Sequence, residues 1–144
     1  MIYTPITKKA MKFAFEKHNG QTDKSGLPYI FHPFHLAEMM DDELTTTVAL
    51  LHDVVEDTDV SFGDLKEMGF NDEILEILKY LTHDKSIPYM NYIKNLSSNK
   101  NAIKVKIADL KHNSDLSRLD VVTDEDLKRV EKYKASIDYL ISKL

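Results

Sequence analysis

Residues 41–57 have the sequence DDELTTTVALLHDVVED, which we call the deciding stretch because its pattern indicates the kind of fold. Its apolar residues Leu44, Val48, Leu51 and Val55 recur at the spacing that places side chains on one face of an α-helix. The aspartates at its start suit a helix N-terminus, because the helix dipole favours negative charge there. We therefore predict a helix that begins at these aspartates and packs its apolar face into a core.

The flanking sequence has the same helical character. It contains only four glycines and four prolines, and no segment alternates apolar and polar residues as a half-buried strand does. Further helices are predicted from Pro5 to about Asn19, from about His32 to Met40, after Ser61, after Asn71, after Pro88, from about Asn101 to Ser117 and from Asp124 to Ser142. The predicted fold is all-α, an irregular bundle of about seven or eight helices that forms a single domain over residues 1–144.

The bulk composition excludes several classes of protein. At 144 residues and 42% apolar content, the chain suffices for one domain with one core, but it has no apolar run of the roughly 18 residues that a membrane span requires. It lacks cysteine and the features of a signal peptide, so we expect a cytoplasmic protein without thiolate metal ligands. A net charge of −5 argues against binding to duplex nucleic acid, whereas a small phosphorylated ligand remains compatible with a locally positive pocket.

Two polar residues interrupt the apolar part of the deciding stretch. His52 and Asp53 lie between apolar segments 48–51 and 54–55, where an imidazole and a carboxylate cost several kcal/mol unless both find partners. A divalent cation is one such partner, and a hydrogen-bonded polar pair without metal is the alternative. Because adjacent helical side chains diverge by about 100°, a cation needs further ligands from elsewhere in the chain.

Two distant residues are candidates for those further ligands. Asp109 is embedded in the apolar sequence IKVKIADL, residues 103–110, and His32 precedes a proline at a predicted loop-to-helix junction. With His52 and Asp53 they supply two imidazoles and two carboxylates, which neutralise a 2+ ion. This mixed nitrogen and oxygen set suits Mn²⁺ or Fe²⁺, or else Zn²⁺, better than Mg²⁺.

Other polar residues have both a functional and an ordinary interpretation. Glu56 and Asp57 follow His52 and Asp53 by one helical turn and could accept a proton from water that the cation activates, or they are simply acidic residues near a helix end. The groups available to hold the phosphates or sugar of a substrate are Lys24, Ser25 and Asn113. We expect the tyrosines to contribute to packing. A solvated helix face, rather than the alternative of a face that attracts phosphate, is expected for Lys104, Lys106, Lys111 and Arg118. The histidines expected to be structural or at the surface are His18, His35, His83 and His112.

At these residues the sequence resembles the hydrolase domain of the RelA/SpoT family, whose members have the HD fold and degrade the alarmone ppGpp. The matching stretches are HNGQ at 18–21, KSGLPYIFHP at 24–33, ALLHDVVEDT at 49–58, KIAD at 106–109 and HN at 112–113. They occur in the family's order and with family-like spacing, and together they frame residues 1 to about 120. The ensemble favours the metal site over the hydrogen-bonded pair.

The resemblance implies a role for each candidate residue. The implied ligands of the metal, normally Mn²⁺, are His32, His52, Asp53 and Asp109. Glu56 and Asp57 would activate the attacking water, Lys24 and Ser25 would contact the base, and Asn113 would lie near the ribose. The implied reaction is removal of the 3′-pyrophosphate, which yields GDP or GTP and pyrophosphate.

The sequence departs from the family pattern in two places. The family's loop carries Arg-Lys-Ser, with the arginine packed on guanine, where this chain has Asp23-Lys24-Ser25. After Asp109 the family has Arg-Leu-His-Asn, where this chain has Leu110-Lys111-His112-Asn113. A carboxylate in the loop can accept from the exocyclic amine of adenine, so a weaker guanine preference is one expectation. The alternative is that Asp23 points into solvent.

Two other functions remain as alternatives to the alarmone hydrolase. Another HD nucleotide phosphohydrolase, such as a nucleotide pyrophosphatase or a 2′- or 3′-phosphatase, would use the same metal and acidic pair with a different pocket. A non-catalytic nucleotide-binding regulatory module is disfavoured by Glu56 and Asp57, because a binding protein needs no group that activates water. Since no synthetase domain follows the matching region, we expect a stand-alone small alarmone hydrolase.

Overall fold

The structure, a computed structural model that describes residues 1–144, is a bundle of helices. Its nine α-helices are α1 (Pro5–Lys17), α2 (Phe31–Glu38), α3 (Glu43–Leu51), α4 (Val54–Asp57), α5 (Phe62–Glu67), α6 (Asp72–Leu81), α7 (Tyr89–Leu96), α8 (Lys100–Asn113) and α9 (Asp124–Ser142). A 3-10 helix, Leu116–Arg118, lies between α8 and α9, and the only β-type pairing is an isolated bridge between Thr22 and Pro28. The predicted all-α bundle is confirmed.

Side-chain caps mark several of the predicted helix starts. Thr4, Ser61 and Thr123 each accept a hydrogen bond from the backbone amide three residues later, and the side chain at that later position bonds back in a capping box. Such caps satisfy amide groups that the first turn of a helix leaves unpaired. Because a cap depends only on neighbouring residues, these boundaries could be predicted from the sequence.

The deciding stretch, in contrast, is not one continuous helix. α3 ends at Leu51 and α4 begins at Val54, so His52 and Asp53 lie at a break between two helices. The prediction that they lie within one helix is wrong. The imidazole Nδ1 of His52 donates to the carbonyl of Ala49 at 2.6 Å, the acceptor that the amide of Asp53 uses in a continuous helix. This break raises the number of helices above the predicted seven or eight. α8 is also shorter than predicted, because it ends at residue 113 rather than 117.

α3 is the central helix of the bundle. Every residue from Thr45 to Leu51 is buried, and α1, α2, α6 and α8 pack around it. Its buried threonine hydroxyls donate to acceptors about one turn earlier, which makes their burial tolerable. The C-terminal end of α3 meets α2 and α8, and this junction holds the candidate site. None of the helices combines the length and the apolar character that crossing a bilayer requires.

Candidate active site

Three segments of the chain meet at the end of α3. α2 contributes His32, the break before α4 contributes His52 and Asp53, and α8 contributes Asp109, and all four residues are buried. His32 Nε2 lies 2.8 Å from Asp109 Oδ1 and 3.7 Å from Asp53 Oδ2. His52 Nε2 lies 2.9 Å from Asp53 Oδ2 and 3.6 Å from Asp109 Oδ1. The fold thus brings together the four residues expected to be metal ligands.

The buried atoms of this cluster fit a divalent cation. One ligand atom from each of His32, His52 and Asp109 lies within 4.8 Å of the others. Because His52 Nδ1 donates to the carbonyl of Ala49, the buried Nε2 faces the cluster, where it lies 2.9 Å from Asp53 Oδ2 but without the geometry of a hydrogen bond. A buried nitrogen that faces carboxylates without a partner is costly, and either a proton or a cation removes that cost.

The electrostatics of the cluster agree with this fit. Burial by itself lowers the pKa of His52, but the charges of Asp53 and Asp109 raise it more, so the net pKa lies well above its usual value. Burial raises the pKa of Asp109, whereas the Lys106 cation and the two histidines lower it well below its usual range. The site therefore holds fixed negative charge and attracts a positive charge.

The prediction that Lys106 lies on a solvated helix face is wrong, because this residue belongs to the site. Its side chain is only 13% exposed, and its Nζ donates to Asp109 Oδ2 at 2.9 Å. The ammonium also lies 5.2 Å from the centre of the Tyr92 ring on α7. The spacing of three residues between the lysine and the aspartate was a usable sequence signal. The contact with Tyr92 could not be predicted from the sequence, because it depends on how α7 packs.

His112, expected to be structural or at the surface, orients one of the proposed ligands. Its Nδ1 lies 2.7 Å from Nδ1 of His32. Burial lowers the pKa of His112 to about 4, and the charge of Arg118 and the neighbouring histidines add to the shift. The ring is therefore neutral near pH 7 and shares a hydrogen bond with His32; when a cation occupies Nε2 of His32, the His32 proton lies on Nδ1 and this bond runs from His32 to His112. This bond turns Nε2 of His32 toward Asp109.

Replacing His112 by alanine is expected to weaken Mn²⁺ binding roughly 10–100-fold, the usual effect of removing the partner that orients a ligating histidine. Isothermal titration of Mn²⁺ into the protein measures the change. His35→Ala is the matched control, because this exposed ring stacks on His112, with 4.0 Å between centroids, but makes no hydrogen bond to a proposed ligand. Equal affinities of wild type and His112→Ala would contradict the positioning role.

Glu56 and Asp57 line the same cavity as the cluster, a space of about 230 Å³ whose walls include Asp53 and Asp109. Loss of hydration raises the pKa of both carboxyls, and the charge of Asp53 adds to the effect. The carboxylate of Glu56 also accepts a hydrogen bond from the backbone amide of His83, which fixes its orientation. Carboxylates with a raised pKa are better proton acceptors than ordinary acidic residues.

The tyrosines expected only to pack the core also surround this cavity. Its walls include Tyr29, Tyr89, Tyr92 and Tyr133. Burial and the charge of Asp53 raise the pKa of Tyr29, so its hydroxyl stays protonated and donates to Asp53 Oδ2. Tyr29 lies three residues before His32 and within the matching stretch 24–33, and these were the sequence signals for its role. The other three reach the site through the packing of α7 and α9.

A second cavity, of about 370 Å³, adjoins the first, and three residues line both: Tyr29, Asn113 and Tyr133. Lys24 and Ser25, expected to contact a substrate, lie on its wall. The hydroxyl of Ser25 donates to the carbonyl of Arg118, which ties the loop to the segment after α8. Asn113 Nδ2 donates to Asp109 Oδ1 at 3.1 Å, so this residue connects the two cavities.

Asp23 does not point into solvent, which was one of the two alternatives considered for it. Its Oδ1 accepts hydrogen bonds from the amides of Ser25 and Leu27 at 2.9 and 3.0 Å, within a turn that contains Gly26 at a φ of +81°. Its Oδ2 lies 3.8 Å from Nη2 of Arg118, and its side chain is only 16% exposed. The carboxylate therefore shapes the loop and forms an ion pair with an arginine, and its Oδ2 faces the cavity wall rather than open solvent.

Known proteins resemble this chain in both sequence and fold. The family model described as HD domain matches residues 10–112. The guanosine-3′,5′-bis(diphosphate) 3′-pyrophosphohydrolase of Aquifex aeolicus is 34% identical, over 87% of this chain and 19% of that protein. The guanosine-3′,5′-bis(diphosphate) 3′-pyrophosphohydrolase MESH1 of Danio rerio is 39% identical, over 59% of this chain and 51% of that protein. The matches thus span about half or less of these relatives.

A solved structure provides a match over nearly the whole chain. It is described as a metazoan ortholog of SpoT that hydrolyzes ppGpp and plays a role in starvation responses. The TM-score is 0.78 at 26% sequence identity, and the superposition covers 99% of this chain and 87% of the other. The arrangement of helices that places the site is therefore shared with that protein.

Proposed function

Because the chain belongs to the HD domain family, we propose that it is a metal-dependent phosphohydrolase that removes the 3′-pyrophosphate from ppGpp. The observation that carries this proposal is the meeting of a buried His/Asp cluster and the acidic pair Glu56 and Asp57 in one cavity. The activities named for its relatives support the choice of substrate. We take residues 1–144 as one phosphohydrolase domain and place it in the cytoplasm, consistent with the absence of cysteine.

The residues proposed to hold the metal are His32, His52, Asp53 and Asp109. Two imidazole nitrogens and two carboxylates suit Mn²⁺, which accepts ligands of both kinds. When bound, the ion supplies Lewis acidity that polarises phosphoryl oxygens and makes water acidic near neutral pH. Lys106 and His112 hold Asp109 and His32 in the orientation that this role requires.

The acidic pair handles the proton of the attacking water. Glu56 or Asp57 accepts that proton while the water oxygen forms a bond to the phosphorus attached to the ribose 3′-oxygen. The bond between this phosphorus and the 3′-oxygen breaks, and its electron pair goes to the 3′-oxygen, which then takes up a proton. The products are GDP and pyrophosphate, and no other reactant is consumed.

The adjoining cavity is where we place the rest of the nucleotide. Lys24 Nζ and Arg129 Nη2 lie 3.3 and 2.7 Å from the same oxygen of Asp126, so two cations and one carboxylate leave a net charge of +1. This cluster suits the 5′-phosphates. Asn113, between the two cavities, is placed to bond the ribose.

A panel of substrates assayed with Mn²⁺ tests this proposal: ppGpp, ppApp, NADPH and simple nucleoside di- and triphosphates. We expect the highest kcat/KM for ppGpp. Preferential hydrolysis of a simple nucleotide or of NADPH would favour another nucleotide phosphohydrolase activity. Binding of nucleotides without turnover of any substrate would favour a regulatory module. Either outcome would contradict the proposed function.

A further inference from the structure

Arg118 belongs neither to the His/Asp cluster proposed to bind the metal nor to the cluster of Lys24, Arg129 and Asp126 proposed to bind the 5′-phosphates. It ends the 3-10 helix after α8 and lines the 370 Å³ cavity. Its Nη1 donates to the carbonyl of His112 at 2.9 Å and to Oδ1 of Asn113 at 3.3 Å. These two bonds fix the guanidinium in the wall of the cavity.

Part of this guanidinium has no hydrogen-bond partner. Nη2 lies 3.8 Å from Asp23 Oδ2, which is an ion pair beyond hydrogen-bond distance, and neither Nη2 nor Nε donates to another group of the chain. The side chain is 23% exposed and lines the cavity. A planar cation with two unused donors is suited to a flat ligand that presents two neighbouring acceptors.

Charge distinguishes the two arginines of the cavity. Arg118 is compensated by Asp23, which gives the pair a net charge of zero. Arg129 shares Asp126 with Lys24, which leaves that cluster with a net charge of +1. A phosphate is attracted to the cluster with excess positive charge, whereas an uncharged base binds a compensated pair without that competition. The base of a bound nucleotide therefore belongs at Arg118.

We propose that Arg118 is the base-recognition residue of this cavity and that it favours guanine. Guanine presents O6 and N7 as adjacent acceptors that match two donors of a guanidinium, whereas adenine has an amino group in place of O6. The inference rests on the proposed function, because it assumes that the 3′-pyrophosphate lies at the His/Asp cluster. It differs from the expectation that Asp23 weakens guanine preference, because here Asp23 compensates the charge of the residue that contacts the base.

The test measures the dissociation constants of GDP and ADP for the Mn²⁺-loaded protein, by calorimetry, in wild type, Arg118→Lys and Arg118→Gln. Lysine keeps the charge and glutamine keeps a planar polar end, but neither keeps the paired donors of the guanidinium. We expect both variants to weaken GDP binding about tenfold or more and to change ADP binding little. Lys111→Gln, which removes an exposed cation of α8 outside the cavity, should leave both constants unchanged.

Equal losses of GDP and ADP affinity, or no loss of either, would overturn the assignment of Arg118. So would a wild-type protein that does not prefer GDP. The readout needs no turnover, so it is separate from the test of the reaction. A protein that hydrolyses no substrate of the panel but loses its preference for GDP in the Arg118 variants would overturn the proposed reaction and keep the base site. A protein that hydrolyses ppGpp with a preference unaffected by the variants would do the reverse.

Discussion

Replacing His52 by alanine is expected to abolish Mn²⁺ binding and to lower ppGpp hydrolysis roughly 10³-fold or more, because metal assistance contributes several kcal/mol to such reactions. Nε2 of His52 is buried and faces the carboxylates of the cluster, and the ring is held by the carbonyl of Ala49. The neighbouring protein groups are carboxylates and His32, so none of them replaces the lost imidazole nitrogen. Titration with Mn²⁺ and initial rates on the same samples measure both losses.

Asp109→Asn should give the same double loss with almost no change in side-chain volume. It also leaves the buried Lys106 without its charge partner, so a lower melting temperature is expected for this variant and must be measured alongside. Asp120→Asn is the control, because it changes an exposed carboxylate beyond the 3-10 helix and should keep both metal affinity and rate. A folded His52→Ala protein that binds Mn²⁺ like wild type would contradict the ligand assignment.

Replacing Glu56 by glutamine is expected to lower kcat for ppGpp about 10²-fold while Mn²⁺ stays bound. Glutamine keeps the size of the side chain and still accepts a hydrogen bond from the amide of His83, but it cannot take up a proton. Asp57→Asn should have a similar effect, because both carboxylates line the same cavity and have pKa values raised by the same causes. Steady-state kinetics and Mn²⁺ titration separate the chemical step from metal binding.

The control for this pair is Glu76→Gln, which changes an exposed carboxylate on α6 away from the cavity and should leave kcat unchanged. If either carboxylate alone can accept the proton, the single variants keep their activity, and the double variant Glu56→Gln with Asp57→Asn is the one that loses it. A double variant that retains the wild-type kcat would show that the pair does not accept the proton.

The proposed metal ligands could be recognised from the sequence because their signal is local. His52, Asp53 and Asp109 are each embedded in an apolar segment, and a polar side chain there must find a partner whatever the rest of the fold does. Helix starts such as Thr4 and Thr123 were predictable for the same reason, since a cap involves only residues within one turn.

The features that could not be predicted depend on contacts between distant segments. From the sequence alone Lys106 resembles a surface residue, because its contact with Tyr92 depends on the packing of α7. Asp23 and Arg118 meet only because the loop after α1 packs against the segment that follows α8, so nothing in the sequence pairs them. The break at residues 52–53 likewise requires the imidazole of His52 to bond the carbonyl of Ala49, which the helical spacing of the apolar residues does not indicate.

The most direct measurement is hydrolysis of ppGpp by the Mn²⁺-loaded protein in water enriched in oxygen-18, with separation and mass analysis of the products. The proposed reaction requires GDP and pyrophosphate in equal amounts, with the heavy oxygen in pyrophosphate, because water attacks phosphorus and the 3′-oxygen remains on the ribose. Release of orthophosphate, heavy oxygen in GDP, or no product at all would contradict it.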